Sequence, residues 1–478
     1  MKKQYNTRAI LASLLICGFV GMFSETALNI AMTNLMDVFQ ISAATAQWLT
    51  TGFLLTLGII MPISGMLLQM FTTRQLFTGS LISLIMGTLI AALAVNFEML
   101  MFARVLQAVG MALLLPLMFN TILVIYPPEK RGAAMGLIGL VIMFAPATGP
   151  TIGGLLIEYL TWHYIFWLSL PLLIIGLLIG LKYLENVTDV TKPRIDLLSV
   201  VLSTIGFGGV VFGFSKAGEG SEGWSSLVVV ISIVVGLIAL VLFIMRQNVM
   251  HDPMMNLSVF KHPMYVVGVL MVLSCTLISM SIMIILPMFL QTGAGLSVFT
   301  AGLMLLPGSA LNGILSPRMG HLFDKYGPKW LVIPGLVIVS VILWFFTTLS
   351  PASSVAFIVA LHIGLMVGLG MIWMPAQTNG LNQLPPELYP HGTAVMNTLQ
   401  QVVGAIGTAV AISILSSGME KYMRGSAASA KQAEISNAMT AGSQNVFVFT
   451  LIIALIGLVI AFFIRRVVVN REAMRTIH

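Results

Sequence analysis

The sequence predicts an all-α, polytopic membrane protein with fourteen transmembrane helices, and three observations carry that prediction. The 478 residues are 58% hydrophobic and only 8% charged, with a mean hydropathy of +1.01, whereas a soluble domain needs about a quarter of its residues charged. Fourteen apolar runs are each long enough to cross roughly 30 Å of hydrocarbon. The basic residues between them sort by side. Of 23 Lys and Arg, eighteen fall on the loops and tails of one face, four (Lys216, Lys421, Arg424 and Lys431) on the other, and Arg104 lies inside a run. By the positive-inside rule the larger set marks the cytoplasm, so both termini are expected there. The net charge of +7 is spread over loops, which argues against nucleic acid as a partner.

The runs follow in order. Residues 9–34 come after the basic start MKKQYNTR; this run exceeds a signal-peptide core and lacks a convincing cleavage site, so it reads as a retained span. Runs 46–70 and 75–95 flank the loop motif GMLLQMFTTR, Gly65–Arg74. Run 98–125 contains Arg104, run 132–157 contains FAPATGPTIGG (Phe144–Gly154), and run 163–182 closes the first six. Runs 196–216 and 225–246 stand apart. Runs 264–290, 297–322, 329–349, 352–376, 392–417 and 445–468 complete the set, with an Ala/Ser-rich outer segment near 418–444 expected to be mobile or a surface helix.

The chain repeats itself. Gly65–Arg74 aligns with GHLFDKYGPK (Gly320–Lys329) at an offset of 255. GMALLLPLMFN (Gly110–Asn120) and PPEKRGAAM (Pro127–Met135) align with GMIWMPAQTN (Gly370–Asn379) and PPELYPHGTAVM (Pro385–Met396) at offsets of 258 to 260. Spans one to six are therefore related to spans nine to fourteen in a parallel repeat, the plan of a rocking transporter with its site at the interface. The expected division is 1–185 for an N-terminal six-helix bundle, 186–255 for two inserted helices and 256–478 for a C-terminal six-helix bundle.

Charges inside a membrane cost roughly 2.5–3.5 kcal/mol each even on the lenient insertion scale, and mark function by default. Glu25, in FSETALNIA, and Arg104, in FARVLQAVG, are such charges. Proton coupling is the functional reading, because burial favours a neutral carboxylate while a nearby cation favours its charged form; a structural ion pair is the alternative. On the inner loops, Asp324 is placed to accept backbone N–H bonds at a helix N-terminus or to pair across a gate, and Gly65, Arg74, Gly320, Lys325 and Gly327 belong to the same paired motifs. Asn29, Trp48, Gln107, Asn120, Trp373, Gln377, Asn379 and Gln400 are polar or aromatic groups in spans and are candidates for substrate-pocket lining. His362, alone in an apolar span, reads as a hydrogen-bonded packing residue. The 33 methionines read as lipid- or core-facing, although soft side chains suit promiscuous pockets. Cys17 and Cys275 offer neither metal spacing nor a disulfide framework. There is no G-x-x-x-x-G-K-[ST] and no H-E-x-x-H, so neither an ATP-driven pump, a metal, a cofactor nor an enzyme is expected. The energy source must be an ion gradient, or nothing.

FAPATGPTIGG holds two prolines and three glycines within one apolar run. Ala145, Gly149 and Gly153 form a small-residue stripe that lets another helix approach closely, and Pro146 and Pro150 permit a bend whose freed carbonyls neighbouring helices can satisfy. Together with the other motifs, the chain resembles the major facilitator superfamily, specifically its fourteen-span drug:proton antiporter family, over nearly its whole length. Gly149, Pro150, Gly153 and Gly154 match the G-P-x-x-G-G core of the family's fifth-span motif, held there to seal the leak path and shape the switch between states. RVLQAVG (Arg104–Gly110) resembles the fourth-span motif, which implies a coupling role for Arg104. ETALNIA (Glu25–Ala31) resembles D-x-T-x-x-N-x-A, with Ser24 in place of the Asp and the carboxylate one residue later, a form similar to the lincomycin-type efflux family of Gram-positive bacteria. The first loop motif is worn, with Gln69, Thr72 and Thr73 at its Asp, Gly and basic positions. WHYIFWLSLP departs from the family pattern at His163 and Ser169.

The resemblance implies the major facilitator fold in a 6+2+6 arrangement. It further implies proton-coupled efflux of small amphipathic drugs across the cell membrane by alternating access, from a monomer in the lipid bilayer. An uptake symporter or facilitator on the same fold is the first rival, since fold does not fix substrate or direction; a non-transporting scaffold or sensor is the second.

Overall fold

The computed structural model describes residues 6–187, 190–191, 195–217, 223–425 and 432–467; the basic residues at 1–5, 192–194, 431 and 468–478 lie outside the described residues. Among the described residues there is no strand. The helices are α1 (Thr7–Ile30), α2 (Met32–Phe39), α3 (Ala43–Met70), α4 (Thr73–Ala92), α5 (Phe97–Ile125), α6 (Arg131–Tyr159), α7 (His163–Tyr183), α8 (Leu197–Ala217), α9 (Leu227–Val249), α10 (Pro263–Met288), α11 (Val298–Tyr326), α12 (Lys329–Thr347), α13 (Val355–Asn382), α14 (Tyr389–Gly425) and α15 (Gln432–Ala461). Thirteen of the described helices are long and apolar enough to cross a membrane; α11 is the remaining long helix and lies between α6 and α13.

Local chemistry sets the helix starts. Ser42, Asn96, Ser297 and Ser354 each accept a hydrogen bond from the backbone N–H three residues on, and Thr72 with Gln75 forms a reciprocal capping box. The ends differ from the apolar runs in three places. The first run breaks at Ala31, and the short α2 continues it. The segment near 418–444 is mostly a continuation of α14 and α15, which run on past the apolar stretch through helix-forming residues and the Glu420–Arg424 pair one turn apart. The last run leaves the helix after Ala461, and its end folds back. Asn379 Nδ2 donates to Arg465 O (3.0 Å), the Val467 N–H donates to Asn379 Oδ1 (3.1 Å), and the Arg466 guanidinium donates to Asp324 O (2.6 Å).

Helices α1 and α4–α7 pack on one another, as do α10 and α12–α15, and one apolar cluster holds buried residues of both sets, from Ile10 to Ala461. Between them α6 lies along α11, and α3 along α14. The inserted pair α8 and α9 pack on each other, and α8 docks on α3 and α14. Its base is clamped at Asp196, which accepts from Arg246 Nε and Nη2 (2.6 and 2.8 Å) and from the Ser199 hydroxyl (2.5 Å). These bonds hold the Asp196 carboxyl well below the usual carboxylate range.

Candidate functional site

The end of the bundle where α6, α10 and α14 begin and α11, α13 and α15 finish is called here the terminal face. In the body of the bundle, α1 carries Glu25 and α5 carries Arg104. Arg104 is 1% exposed. Its Nε donates to Leu49 O (3.4 Å) and its Nη1 to Gln107 Oε1 (3.1 Å), while the guanidinium lies over the Phe53 ring at 4.2 Å. Gln107 Nε2 donates in turn to Thr88 Oγ1 (3.0 Å). Gln107, a candidate pocket residue, therefore belongs to this buried polar chain. Arg104 Nη2 has no hydrogen-bond partner among the described residues. Glu25 is half-buried and feels the Arg104 charge. No direct ion pair joins the two among the described residues. A carboxylate held near, but not on, an arginine can change partner or protonation without first breaking a buried salt bridge.

The α1 segment that bears Glu25 is the one FAPATGPTIGG packs against. A Cβ on Gly149 would lie 2.2 Å from Thr26 Oγ1 and 2.9 Å from Ala27 N, and one on Gly153 would lie 3.0 Å from Ala27 O. Ala145 is fully buried. Gly154 faces open space, and the Pro150 side chain lies outside the described residues. The same helix also turns Pro146, Ala147 and Thr151 to a cavity, whose lining does not include Gly149 or Gly153.

The terminal face is closed. Asp324 Oδ1 accepts from the Gly132 N–H (2.8 Å) and Oδ2 from the Ala133 N–H (2.9 Å), so this carboxylate caps the start of α6. The backbones touch there: a Cβ on Gly320 would lie 1.9 Å from Gly132 O. Gln69, the counterpart of Asp324 in the first repeat, reaches the start of α14, where its Nε2 is 3.1 Å from His391 Nε2 and Gly65 sits against Pro390 and Ala394. The His391 Nδ1 accepts from the Asn256 N–H (3.2 Å). Between the two caps, Arg131 Nη1 donates to Asn382 Oδ1 (2.9 Å) and Tyr389 Oη (3.1 Å). Arg131 and Tyr389 are equivalents at an offset of 258. Arg131 was missed as a site residue, although the repeat that contains it supplied the signal. Arg74 is directed elsewhere, with Nη2 donating to Leu181 O (2.7 Å) at the end of α7. Lys325 is exposed over Tyr326, and Gly327 ends α11 at φ 82°.

A cavity of about 370 Å³ lies away from the terminal face, between α1 and α6 on one side and α10, α11 and α13 on the other. Of the eight candidate pocket residues, Trp373 lines it. The others are placed as follows. Asn29 is exposed and accepts from Thr50 Oγ1 (2.9 Å). Trp48 faces the inserted helix α8, 5.9 Å from Phe212. Asn120 is buried with Oδ1 unpartnered. Gln377 is buried one turn beyond Trp373, Asn379 holds the chain end, and Gln400 Nε2 donates to Met396 O of its own helix (3.3 Å). His362 differs from its expected role: it lines the cavity, and its Nδ1 has no hydrogen-bond partner among the described residues. At the departures from the family pattern, His163 Nε2 is 3.0 Å from Ala94 O, which ties the start of α7 to the segment after α4, and the Ser169 hydroxyl donates to Ile165 O of its own helix (2.7 Å). Groups of three or more metal-ligating side chains are absent among the described residues.

Residues 14–408 match the family model described as Major Facilitator Superfamily. The chain is 61% identical to the lincomycin resistance protein LmrB of Bacillus subtilis over 468 residues, covering 98% of each. It is 60% identical to the lincomycin resistance protein LmrB of Listeria monocytogenes, covering 96% of each. Among solved structures it superposes on the human organic anion transporter MFSD10 with a TM-score of 0.63 at 12% identity, covering 94% of this chain and all of that one, a likeness of fold. With the motifs at Arg104–Gly110 and Ala145–Gly154 in their expected helices, Gly320–Tyr326 in the last turns of α11 where a loop was expected, and a family model spanning most of its length, the chain belongs to the Major Facilitator Superfamily.

Proposed function

We propose that this protein exports amphipathic drugs, lincomycin among them, across the cell membrane in exchange for protons, with both termini in the cytoplasm. It acts as a carrier and not as an enzyme, and its halves, 1–185 and 256–478, rock about the cavity between them. The names of the 60–61% identical relatives support the substrate. The observation that carries the coupling is Glu25, a half-buried carboxylate inside α1 that feels Arg104 without pairing to it and is next in sequence to the Thr26 and Ala27 that meet the Gly149 seam. Protonation there alters the charge beside the α1–α6 contact, which links proton binding to the helix packing that alternating access must change. With the terminal face inside, the structure is closed to the cytoplasm and its cavity lies toward the exterior. One proton moving down 100 mV supplies about 2.3 kcal/mol, enough for a tens-fold gradient of a neutral substrate.

The test is lincomycin transport in proteoliposomes under an imposed pH gradient. Accumulation that follows the gradient and collapses with an uncoupler is expected. Equal transport with and without the gradient would contradict exchange.

A further inference from the structure

The cavity walls are largely apolar, with Met143, Met280, Met283 and Met366 among them and no carboxylate among the lining residues. Six polar side chains break that surface, Thr151, Ser279, Gln291, Ser309, His362 and Trp373, and of these only His362 and Trp373, both on α13, hold a buried polar atom without a partner among the described residues. His362 is 4% exposed with Nδ1 unpartnered, and Trp373 is 6% exposed with its Nε1–H unpartnered. Both line the cavity. They are eleven residues apart, which returns them to one face of the helix about 16 Å apart along its axis. Gln377, one turn beyond Trp373 and 1% exposed, leaves both amide atoms without a partner. Buried polar groups are normally hydrogen-bonded, and each exception calls for an explanation. An indole N–H can only donate, whereas an imidazole can donate or accept.

Resting on the export reading above, we propose that His362 and Trp373 are the two specificity-determining hydrogen-bonding residues of the substrate site. The site takes an uncharged, elongated molecule with a hydrogen-bond acceptor at each end and an apolar middle. Trp373 donates to the end nearer the terminal face, His362 engages the other end, and the methionines cover the body between them with side chains that adapt to shape. A dication of the same length is disfavoured, because the walls hold no counter-charge to offset its desolvation.

The experiment is equilibrium binding to the purified protein in nanodiscs, with three probes on one biphenyl body. These are the 4,4′-bis(dimethylamide), the 4-mono(dimethylamide) and the 4,4′-bis(trimethylammonium) dication. The wild type is expected to bind the bis-amide more tightly than the dication. His362→Phe and Trp373→Phe should each weaken the bis-amide by about three- to tenfold, the range of one lost hydrogen bond. Only one of the two should weaken the mono-amide, and neither should change the dication by more than about twofold. His362→Gln, which keeps a hydrogen-bonding head, should recover most of the loss. Tighter dication binding by the wild type, unchanged bis-amide affinity in both Phe variants, or equal losses for all probes would overturn the proposal. Binding needs no gradient, so a wild type that shows this pattern but exports nothing would refute the export reading alone.

Discussion

Asp324 and Gln69 occupy equivalent places 255 residues apart, and they hold the terminal face by different means. The carboxylate caps two N–H groups of α6, whereas the amide meets one imidazole of α14. A charged acceptor on a helix N-terminus is worth more than a neutral side-chain contact. Asp324→Asn is therefore expected to destabilise the closed terminal face by about 1–3 kcal/mol, and Gln69→Ala by less. At equal expression, transport and cysteine labelling from that face should both follow this order, and the reverse order would count against the unequal caps. The capping role of Asp324 was legible from its motif, although the loop expected there is the last turn of α11. The facing of Trp48, Asn379 and Gln400 was not. Helices that are apolar on all sides, because lipid and core both accept apolar groups, carry no periodic signal of which face meets a cavity. For Arg131 the signal lay in the repeat arithmetic that pairs it with Tyr389.

At the scale of elements, the α1–α6 seam and the inserted hairpin each make a separate prediction. Gly149→Leu or Gly153→Leu would drive a side chain into Thr26 and Ala27, an overpacking cost of about 1–3 kcal/mol. Transport should fail while substrate binding survives, because neither glycine is among the residues that line the cavity. Gly154→Leu, which enters open space, is the control and should transport like the wild type; equal transport by all three would mean the seam tolerates bulk. In the hairpin, the folded Asp196 carboxyl is held below its unfolded value. Its stabilisation is therefore present above about pH 4, the ordinary carboxylate value, and is lost as pH falls through the lower folded one. Asp196→Asn should lower the melting temperature by a few degrees at pH 7 and by progressively less as pH drops below about 4. A difference that stays constant across that range would exclude the carboxylate as its source. The fourteen long helices among the described residues could be read from apolar length and loop charge, although α11 lies outside the thirteen that are long and apolar enough to cross a membrane. Their ends could not, because α14 and α15 continue through segments whose polarity hides them from a hydropathy reading but whose residues still favour helix.

For the whole molecule, the parallel repeat explains why the contacts between halves come in pairs. The start of α6 meets the end of α11, and the start of α14 meets the end of α3. In the proposed alternating access, opening the terminal face would break both pairs together with the Arg131–Asn382–Tyr389 bonds, while the cavity on the far side closes. Under the proposed exchange for protons, one titratable group must bias this change, and that role is proposed for Glu25, next in sequence to the Thr26 and Ala27 that meet the α1–α6 seam. The direct measurement compares wild type with Glu25→Gln in proteoliposomes, reading labelled lincomycin driven by a pH gradient and, separately, counterflow of labelled against unlabelled lincomycin without a gradient. Glu25→Gln is expected to lose gradient-driven accumulation by at least about tenfold while counterflow persists; undiminished gradient-driven accumulation in Glu25→Gln would contradict the coupling role.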